Sequence, residues 1–466
     1  MIMLTHQLAN LLIFIWVVIA LAVGFLAGVQ PLYVGLAVGG LAIAFFFFTR
    51  FESAVLALLI LRSALDPFSD QQVPAAFAIA LDILTLFYVA ITLLAGQTVR
   101  TNGFWWLFAG WVLLQSLWVT YFPEGELRLN DAVWLNSIRE WVRLFSWLMV
   151  YLLVMQLKDR IHPQKIISAL FLALILPLTA AVTQMLLPIS VLPVFLQGAK
   201  DPISGEISRI NGTLGLSNTF ATFLLLFIGL TYWQLGQSRR RWVWWLLLSL
   251  LAFFYVSTKA LFSLMMLGVF ILVLILPKLS LIKLIAGAFL FVIVIALFAS
   301  TEFGQQRLAS LGQTPLLNPD LDISRAILLS QGDGNSFNWR LAQWNFLIQA
   351  WQRSPIFGYG LATSPNLTIY NNYAHNDYVR ALAEGGIVGF SAFIAFLGTQ
   401  FTYLVGLIRR SSPNSSQYQF CWVLLALFVS IIVGMITENI WSHTTLFFYW
   451  WTLLAIAGWN WDQPYA

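Results

Sequence analysis

Four histidines are the side chains here whose ordinary pKa, about 6.5, suits proton transfer near neutral pH. Of the histidines read as lying outside, only His375 sits among polar neighbours, in Ala374-His375-Asn376-Asp377-Tyr378. An imidazole so placed can take the proton of a hydroxyl as a general base. The plain alternative is one more hydrogen-bonding polar residue. His443 falls in the short stretch Glu438–His443, and His6 and His162 read as ordinary surface residues. A second chemistry lies in three cations beside apolar runs: Arg209, Lys259 and Arg340. Arginine grips phosphate oxygens in pairs, and lysine binds them as a point charge. Lys259 stands in Val256-Ser257-Thr258-Lys259-Ala260 with no acid nearby in sequence. Such a group faces a polar cavity or snorkels to the interface. Arg139 and Arg143, with Glu140 between them, fit a local ion pair.

Other chemistries lack residues. The single cysteine, Cys421, lies in an apolar run and excludes disulfides and thiolate metal sites. Asp320-Leu321-Asp322 has the spacing of an acidic metal motif without a supporting His or Glu. No phosphate-binding Walker loop, nucleophile elbow or HExxH helix occurs. No metal and no cofactor is expected.

The elements that must position these groups follow from composition. The 466 residues are 60% hydrophobic and 9% charged, against roughly 25% charged in a soluble domain. Such a chain cannot cover a water-facing surface, which excludes a soluble enzyme, a disordered protein and a nucleic-acid binder. The sequence predicts an all-α, polytopic membrane bundle. Apolar runs fall near 8–28, 31–48, 53–65, 75–95, 104–121, 138–157, 166–187, 213–235, 242–256, 260–276, 283–300, 386–408, 420–436 and 444–460. Two pairs are short, so the expectation is about 12–14 spans. The first run has no basic stretch before it and no small-residue cleavage site after it, and reads as a retained span.

Basic residues in short loops orient the bundle. With both termini inside, the inner positions are Arg50, Arg100, Lys158, Arg160, Lys165, Arg239, Arg240, Arg241, Lys278, Lys283, Arg409 and Arg410. Most acids then fall outside. Four regions result: N-terminal helices over 1–187, core helices with the basic outer-face residues over 188–300, a large structured outer loop over 301–385, and C-terminal helices over 386–466. In the loop, 338–353 has helical period, with Leu341, Trp344, Leu347, Ile348 and Trp351 on one face, and suits an interfacial helix. Ser354-Pro355 ends it. A second short helix is expected from Asn371-Asn372 to Glu384, with His375, Tyr378, Val379 and Leu382 on one face and a break at Gly385-Gly386. Asp82 and Arg62, within apolar runs, are expected to pair across helices.

Four motifs in order over about 205–395 resemble the family of O-antigen ligases, O-antigen polymerases and protein O-oligosaccharyltransferases. They are Arg209-Ile210-Asn211-Gly212-Thr213 through Ser217-Asn218; Ser257-Thr258-Lys259; Arg340-x-x-x-Trp344 with Ser354-Pro355-Ile356-Phe357-Gly358-Tyr359-Gly360; and His375-Asn376-Asp377-Tyr378 with Glu384-Gly385-Gly386-Ile387-Val388-Gly389. Lys259 stands where the family commonly has arginine, keeping the charge without the fork.

The resemblance implies transfer of a glycan from a polyprenyl-pyrophosphate carrier (undecaprenyl in bacteria) to an acceptor hydroxyl. The setting would be the periplasmic face of the inner membrane, as in lipopolysaccharide and other polysaccharide biosynthesis. It casts His375 as base, Arg209, Lys259 and Arg340 as holders of the pyrophosphate without a metal, and Asn218, Asn376 and Tyr378 as support. Attack opposite the leaving phosphate inverts the sugar carbon. Lipid A core, a growing glycan and protein all remain open as acceptors, which leaves ligase and polymerase side by side, with ligase the generic reading. Membrane lipid is an expected partner and nucleic acid is not. Two other classes stay open: an anion transporter of the bicarbonate type, and a scaffold subunit of a polysaccharide assembly complex.

Overall fold

The structure is a computed structural model that describes residues 31–121, 131–197, 209–276 and 336–462, with scattered positions between 280 and 329. The run 8–28, most of 283–300 and Asp320–Asp322 lie outside the described residues. Every regular element among the described residues is helical, and the chain is a polytopic helical membrane protein.

The chain divides into two units, residues 1–58 and 59–466. In the first, α1 (Pro31–Thr49) leads into α2 (Phe51–Leu61), whose last three residues belong to the second. Phe47 meets Phe51 edge-on there, with ring centroids 5.3 Å apart. The second unit holds α3 (Val73–Leu94), α4 (Gly103–Gln115), the single turn α5 (Leu117–Thr120), α6 (Asp131–Met155), α7 (Pro163–Leu170) and α8 (Ile175–Leu186). Next come α9 (Ser217–Gln237), α10 (Arg241–Ser257), α11 (Leu261–Ile275), α12 (Ser336–Arg353), α13 (Asp377–Arg410), α14 (Ser416–Gly434) and α15 (Thr444–Ala457).

Six helices among the described residues are long and apolar enough to cross a membrane: Val73–Leu94, Gly103–Thr120, Pro163–Leu186, Ser217–Gln237, Asp377–Arg410 and Ser416–Gly434. Shorter apolar helices include α10, α11 and α15. α6 is long enough at 25 residues but carries its charges in its first half.

Sequence decides which helices are central. A helix apolar all round has no face for water, so it goes to the middle or meets lipid. α15 is buried from Thr445 to Ala457, and α9 along most of its length. Around them pack α6, α14 and α11, and α13 runs beside α14. α3 presents Ile83, Phe87, Leu93 and Leu94 outward, as a lipid-facing helix does. Large rings fill the middle: Trp111 stacks on Phe396 at 4.1 Å, and Trp441 meets Trp147 and Phe393 edge-on, both at 5.1 Å.

Three expectations change. Asn376, not Asn371 or Asn372, caps α13, its side chain accepting from the backbone N–H of Tyr378 and Val379. His375 therefore precedes the helix, at φ 49°, and does not share its face with Tyr378, Val379 and Leu382. The break expected at Gly385-Gly386 is present: Gly386 (φ 60°, ψ −163°) is non-helical, and α13 is two helical stretches that meet at this kink, the second ending at Arg410. Arg62 and Asp82 do not pair. Arg62 bonds Asp66 at 2.6 Å and Thr444 at 2.8 Å, and Asp82 accepts from Ser146 at 2.6 Å. Each found a nearer partner.

The kink has a physical cause. The strap Pro355–Gly360 lies directly on it, with Tyr359 and Gly360 donating to Glu384 O and Ile387 donating to Pro355 O. Backbone this close leaves no room for a side chain: a Cβ at Gly386 would collide with Ile356 O, and one at Gly358 (φ 68°) with Glu384 O. Gly386→Ala should cost more than about 2 kcal/mol through clash and left-handed strain together. The check is the thermal midpoint in detergent, and an unchanged midpoint would show that the strap can lift.

Candidate active site

His375 reaches its position through a chain of backbone clamps. On α12, Trp344 donates its indole N–H to Ala374 O at 2.6 Å, and Gln343 donates to Asn372 O at 2.5 Å. Leu347, Ala374 and Ala383 form a small core beneath, with Trp344, Leu367 and Val379 around it. α12 thus lies on α13, as its apolar residues required, but Ala342 and Gln343 are buried while Ile348 is exposed. Trp339 meets the imidazole edge-on at 5.2 Å.

Opposite His375 stands Glu438, in the turn between α14 and α15. The start of α13 holds that turn and the last turn of α14 at four points. Asp377 N–H donates to Met435 O (2.9 Å), Trp441 N–H donates to Asp377 Oδ2 (2.8 Å), Tyr378 OH donates to Ile432 O (2.8 Å), and Arg380 Nη1 donates to Ser442 Oγ (3.1 Å). Asn376 and Tyr378 therefore shape the backbone around the imidazole: one caps the helix, the other anchors it.

The Glu438 side chain is 4% exposed, and everything polar nearby turns to it. Its Oε1 lies 2.8 Å from His375 Nδ1 and accepts from Asn439 N–H at 3.1 Å. Its Oε2 accepts from Asn218 Nδ2 and lies 3.7 Å from Arg340 Nη2. Burial pushes this carboxyl up, but the His375 hydrogen bond and the charges of His375, His443 and Arg340 outweigh it and hold the pKa at about 2.

An ionised Glu438 can only accept, so Nδ1 of a neutral His375 carries the proton. The contact of Arg340 Nη2 with Nδ1 at 3.5 Å is then electrostatic proximity, because both atoms are donors. Nε2 keeps its lone pair, and among the described residues it has no hydrogen-bond partner. Arg340 Nη1 donates to Thr437 O at 3.3 Å.

Arg209 joins through Asn218. Its Nη2 donates to Asn218 Oδ1 at 2.7 Å and its Nε to Thr258 O at 2.9 Å. The motif stretch after it is fixed by Gln184, whose Oε1 accepts from Asn211 and Gly212 N–H at 3.1 and 2.9 Å. Five residues from four parts of the chain, Arg209, Asn218, Arg340, His375 and Glu438, thus form one network. Lys259 is not drawn into it. It is exposed at φ 51°, directly after the carbonyl that Arg209 grips. Among the described residues no group of three or more His, Cys, Asp and Glu is placed to hold a metal ion.

Glu438 escaped the sequence reading. The signal available was a carboxylate in the turn Thr437-Glu438-Asn439 between two apolar runs, five residues before His443. His443 is buried and bonds Thr222 Oγ1 at 2.9 Å.

A second ionic cluster lies behind the first. Arg380, 4% exposed, donates to Glu140 at 2.7 Å and to Glu384 at 3.1 Å. Glu140 also pairs with Arg143, as the sequence suggested. Glu384 accepts from Ala362 N–H and from Ser364, holding the far end of the strap. Replacing Arg380 by Met leaves two buried carboxylates short of their shared cation and should cost about 3–5 kcal/mol, read as lost thermal stability in detergent.

His443 predicts an acid limit. Burial lowers its pKa from 6.5 to about 4, with Glu438 opposing and His375 adding to the shift. The unfolded chain binds a proton near 6.5 that the folded chain refuses until about 4. Stability is therefore complete above 6.5 and falls between 6.5 and 4, by on the order of 3 kcal/mol. Glu438 acts lower: its contribution is full above 4.5 and lost as pH falls toward 2. His443→Asn should flatten the decline between pH 6.5 and 4 in a thermal-midpoint series, and a parallel profile would assign the decline to another group.

No curated protein matches the chain. Residues 246–394 match the family model described as O-antigen ligase. That segment contains Lys259, Arg340 and His375, while Arg209, Asn218 and Glu438 lie outside it and meet it only in the fold. Over that segment, about a third of the chain, this multi-pass membrane protein is similar to the O-antigen ligase family.

Proposed function

We propose that the protein transfers a glycan from a polyprenyl-pyrophosphate carrier to an acceptor hydroxyl, at the periplasmic face of the bacterial inner membrane. The observation that carries this reading is His375: Nδ1 sits on a buried, ionised carboxylate, Nε2 is left without a partner among the described residues, and a guanidinium lies alongside.

In the proposed step, Nε2 takes the proton of the acceptor hydroxyl while its oxygen attacks the anomeric carbon. The bond from that carbon to the pyrophosphate oxygen breaks, and the electron pair leaves with the pyrophosphate. Attack from the opposite side inverts the configuration. Glu438 holds the imidazole in the tautomer that presents Nε2 and stabilises the imidazolium that forms. Arg340 and Arg209 supply positive potential where charge grows on the leaving phosphate. Lys259, at the edge, suits a more distant phosphate of the carrier. Glu438 also shields Arg340 from His375, so the ring can gain a proton beside a cation.

The acceptor is a lipid A core sugar in a ligase and another carrier-linked glycan in a polymerase. A deletion strain separates them: full-length carrier-linked chains with bare lipid A core mark a ligase, and single-repeat chains on the core mark a polymerase.

With purified protein, carrier-linked glycan and acceptor, His375→Ala should abolish turnover. Glu438→Gln keeps the shape and removes the charge. It should lower kcat by about 10²-fold or more and shift the acid limb of the pH profile, because the tautomer and the imidazolium both lose their anchor. Full activity in His375→Ala would remove histidine from the chemistry.

A further inference from the structure

The polar groups of the candidate site leave a second basic region unexplained. Glu140 and Gln156 lie on and just beyond the same helix, α6, and 16 residues of helical rise separate them by about 24 Å. That is most of a bilayer's hydrocarbon thickness, so the Gln156 end faces the opposite membrane surface from His375.

At that end is a cavity of about 420 Å³, lined by Tyr88, Thr92, Gly96, Gln97, Thr98, Arg100, Gln156 and Arg160. It is built rather than incidental. Gln156 Nε2 donates to Arg100 O at 2.9 Å and its Oε1 accepts from Arg100 N–H at 3.1 Å, fixing the 96–100 segment to the end of α6. Arg160 Nη2 donates to Tyr88 OH at 2.9 Å, which ties the other wall to α3. Asp159 pairs with Arg100 at 3.3 Å. The lining side chains are hydroxyls, amides and guanidinium, and none of them is acidic. Lys158 and Lys165 lie close in sequence. Beside the cavity, Leu93 and Leu94 on α3 are 59% and 89% exposed, a surface for acyl chains.

We propose that this cavity binds the phosphate of an anionic phospholipid headgroup, seated between Arg100 and Arg160 with its acyl chains along α3. Two guanidinium groups match a phosphodiester, Tyr88, Thr92 and Gln97 can meet glycerol oxygens, and the adjoining apolar face takes the tails. The lipid links the 96–100 segment, α3 and the α6–α7 turn, and so braces the end of the bundle remote from the glycan chemistry. A soluble phosphate shares the headgroup chemistry and gains nothing from α3.

The test uses full-length protein in a zwitterionic detergent, titrated with short-chain phosphatidylglycerol, short-chain phosphatidylcholine or inorganic phosphate, with the thermal midpoint and native mass spectrometry as readouts. Phosphatidylglycerol should stay bound and raise the midpoint, with at least tenfold weaker binding of phosphatidylcholine. Arg100→Gln/Arg160→Gln should reduce phosphatidylglycerol binding at least tenfold. Gln97→Glu keeps both arginines and sets a negative charge on the wall; it should do the same if the double variant is too unstable to purify. His375→Ala should bind the lipid as the wild type does. Equal binding of the two lipids, wild-type binding by Gln97→Glu, or equal protection by inorganic phosphate would each overturn the proposal.

Discussion

A single buried carboxylate sets the terms for one end of this molecule. Taking Glu438 out of water is costly unless donors replace the solvent on both oxygens. The replacements come from α9, from the start of α12 and from the segment before α13, and each must stay in place for the charge to be tolerated. A cost on one side chain thus becomes a constraint on four segments. Because the site is the solution to that problem, its geometry is tied to the stability of the fold. The clamps from Asp377, Tyr378 and Arg380 belong to the same solution: they hold the turn so that the carboxylate meets its partners rather than solvent.

The two ionic clusters do different work. The one around Glu438 leaves an imidazole nitrogen without a partner among the described residues, and the one around Arg380 is closed on itself. Closure suits a structural joint, since Arg380 binds α6, α13 and the turn before α15 in one fork. The strap from Pro355 to Ser364 is fastened twice, by backbone at Gly386 and by the Glu384 carboxylate. Those attachments account for the glycines in two motifs that sequence presents as separate pieces.

Much of this was legible before any coordinates. Periodicity and hydropathy placed the apolar helices, because a span leaves a long, one-note signal. Arg209, Arg340 and His375 stood out by residue type and setting, and Asn218 entered only with the motif resemblance. Glu438 did not, since nothing local distinguishes it from any carboxylate in an outer turn; its meaning comes from Asn218, 220 positions away. The Asn376 cap was also hidden, because Asn371 and Asn372 are equally good caps by residue type. Lys259, which its sequence context left between a polar cavity and the interface, is exposed. Arg62 and Asp82 were matched by charge, yet local geometry gave each a nearer partner.

The carboxylate's place in the chain has a consequence for biogenesis. Translation delivers Arg209, Arg340 and His375 before Glu438. Until α14 and α15 have closed the turn that carries it, the carboxylate that fixes the imidazole tautomer is not in place. In the proposed chemistry the base is therefore set only when that hairpin forms, after the other members of the network have already been made.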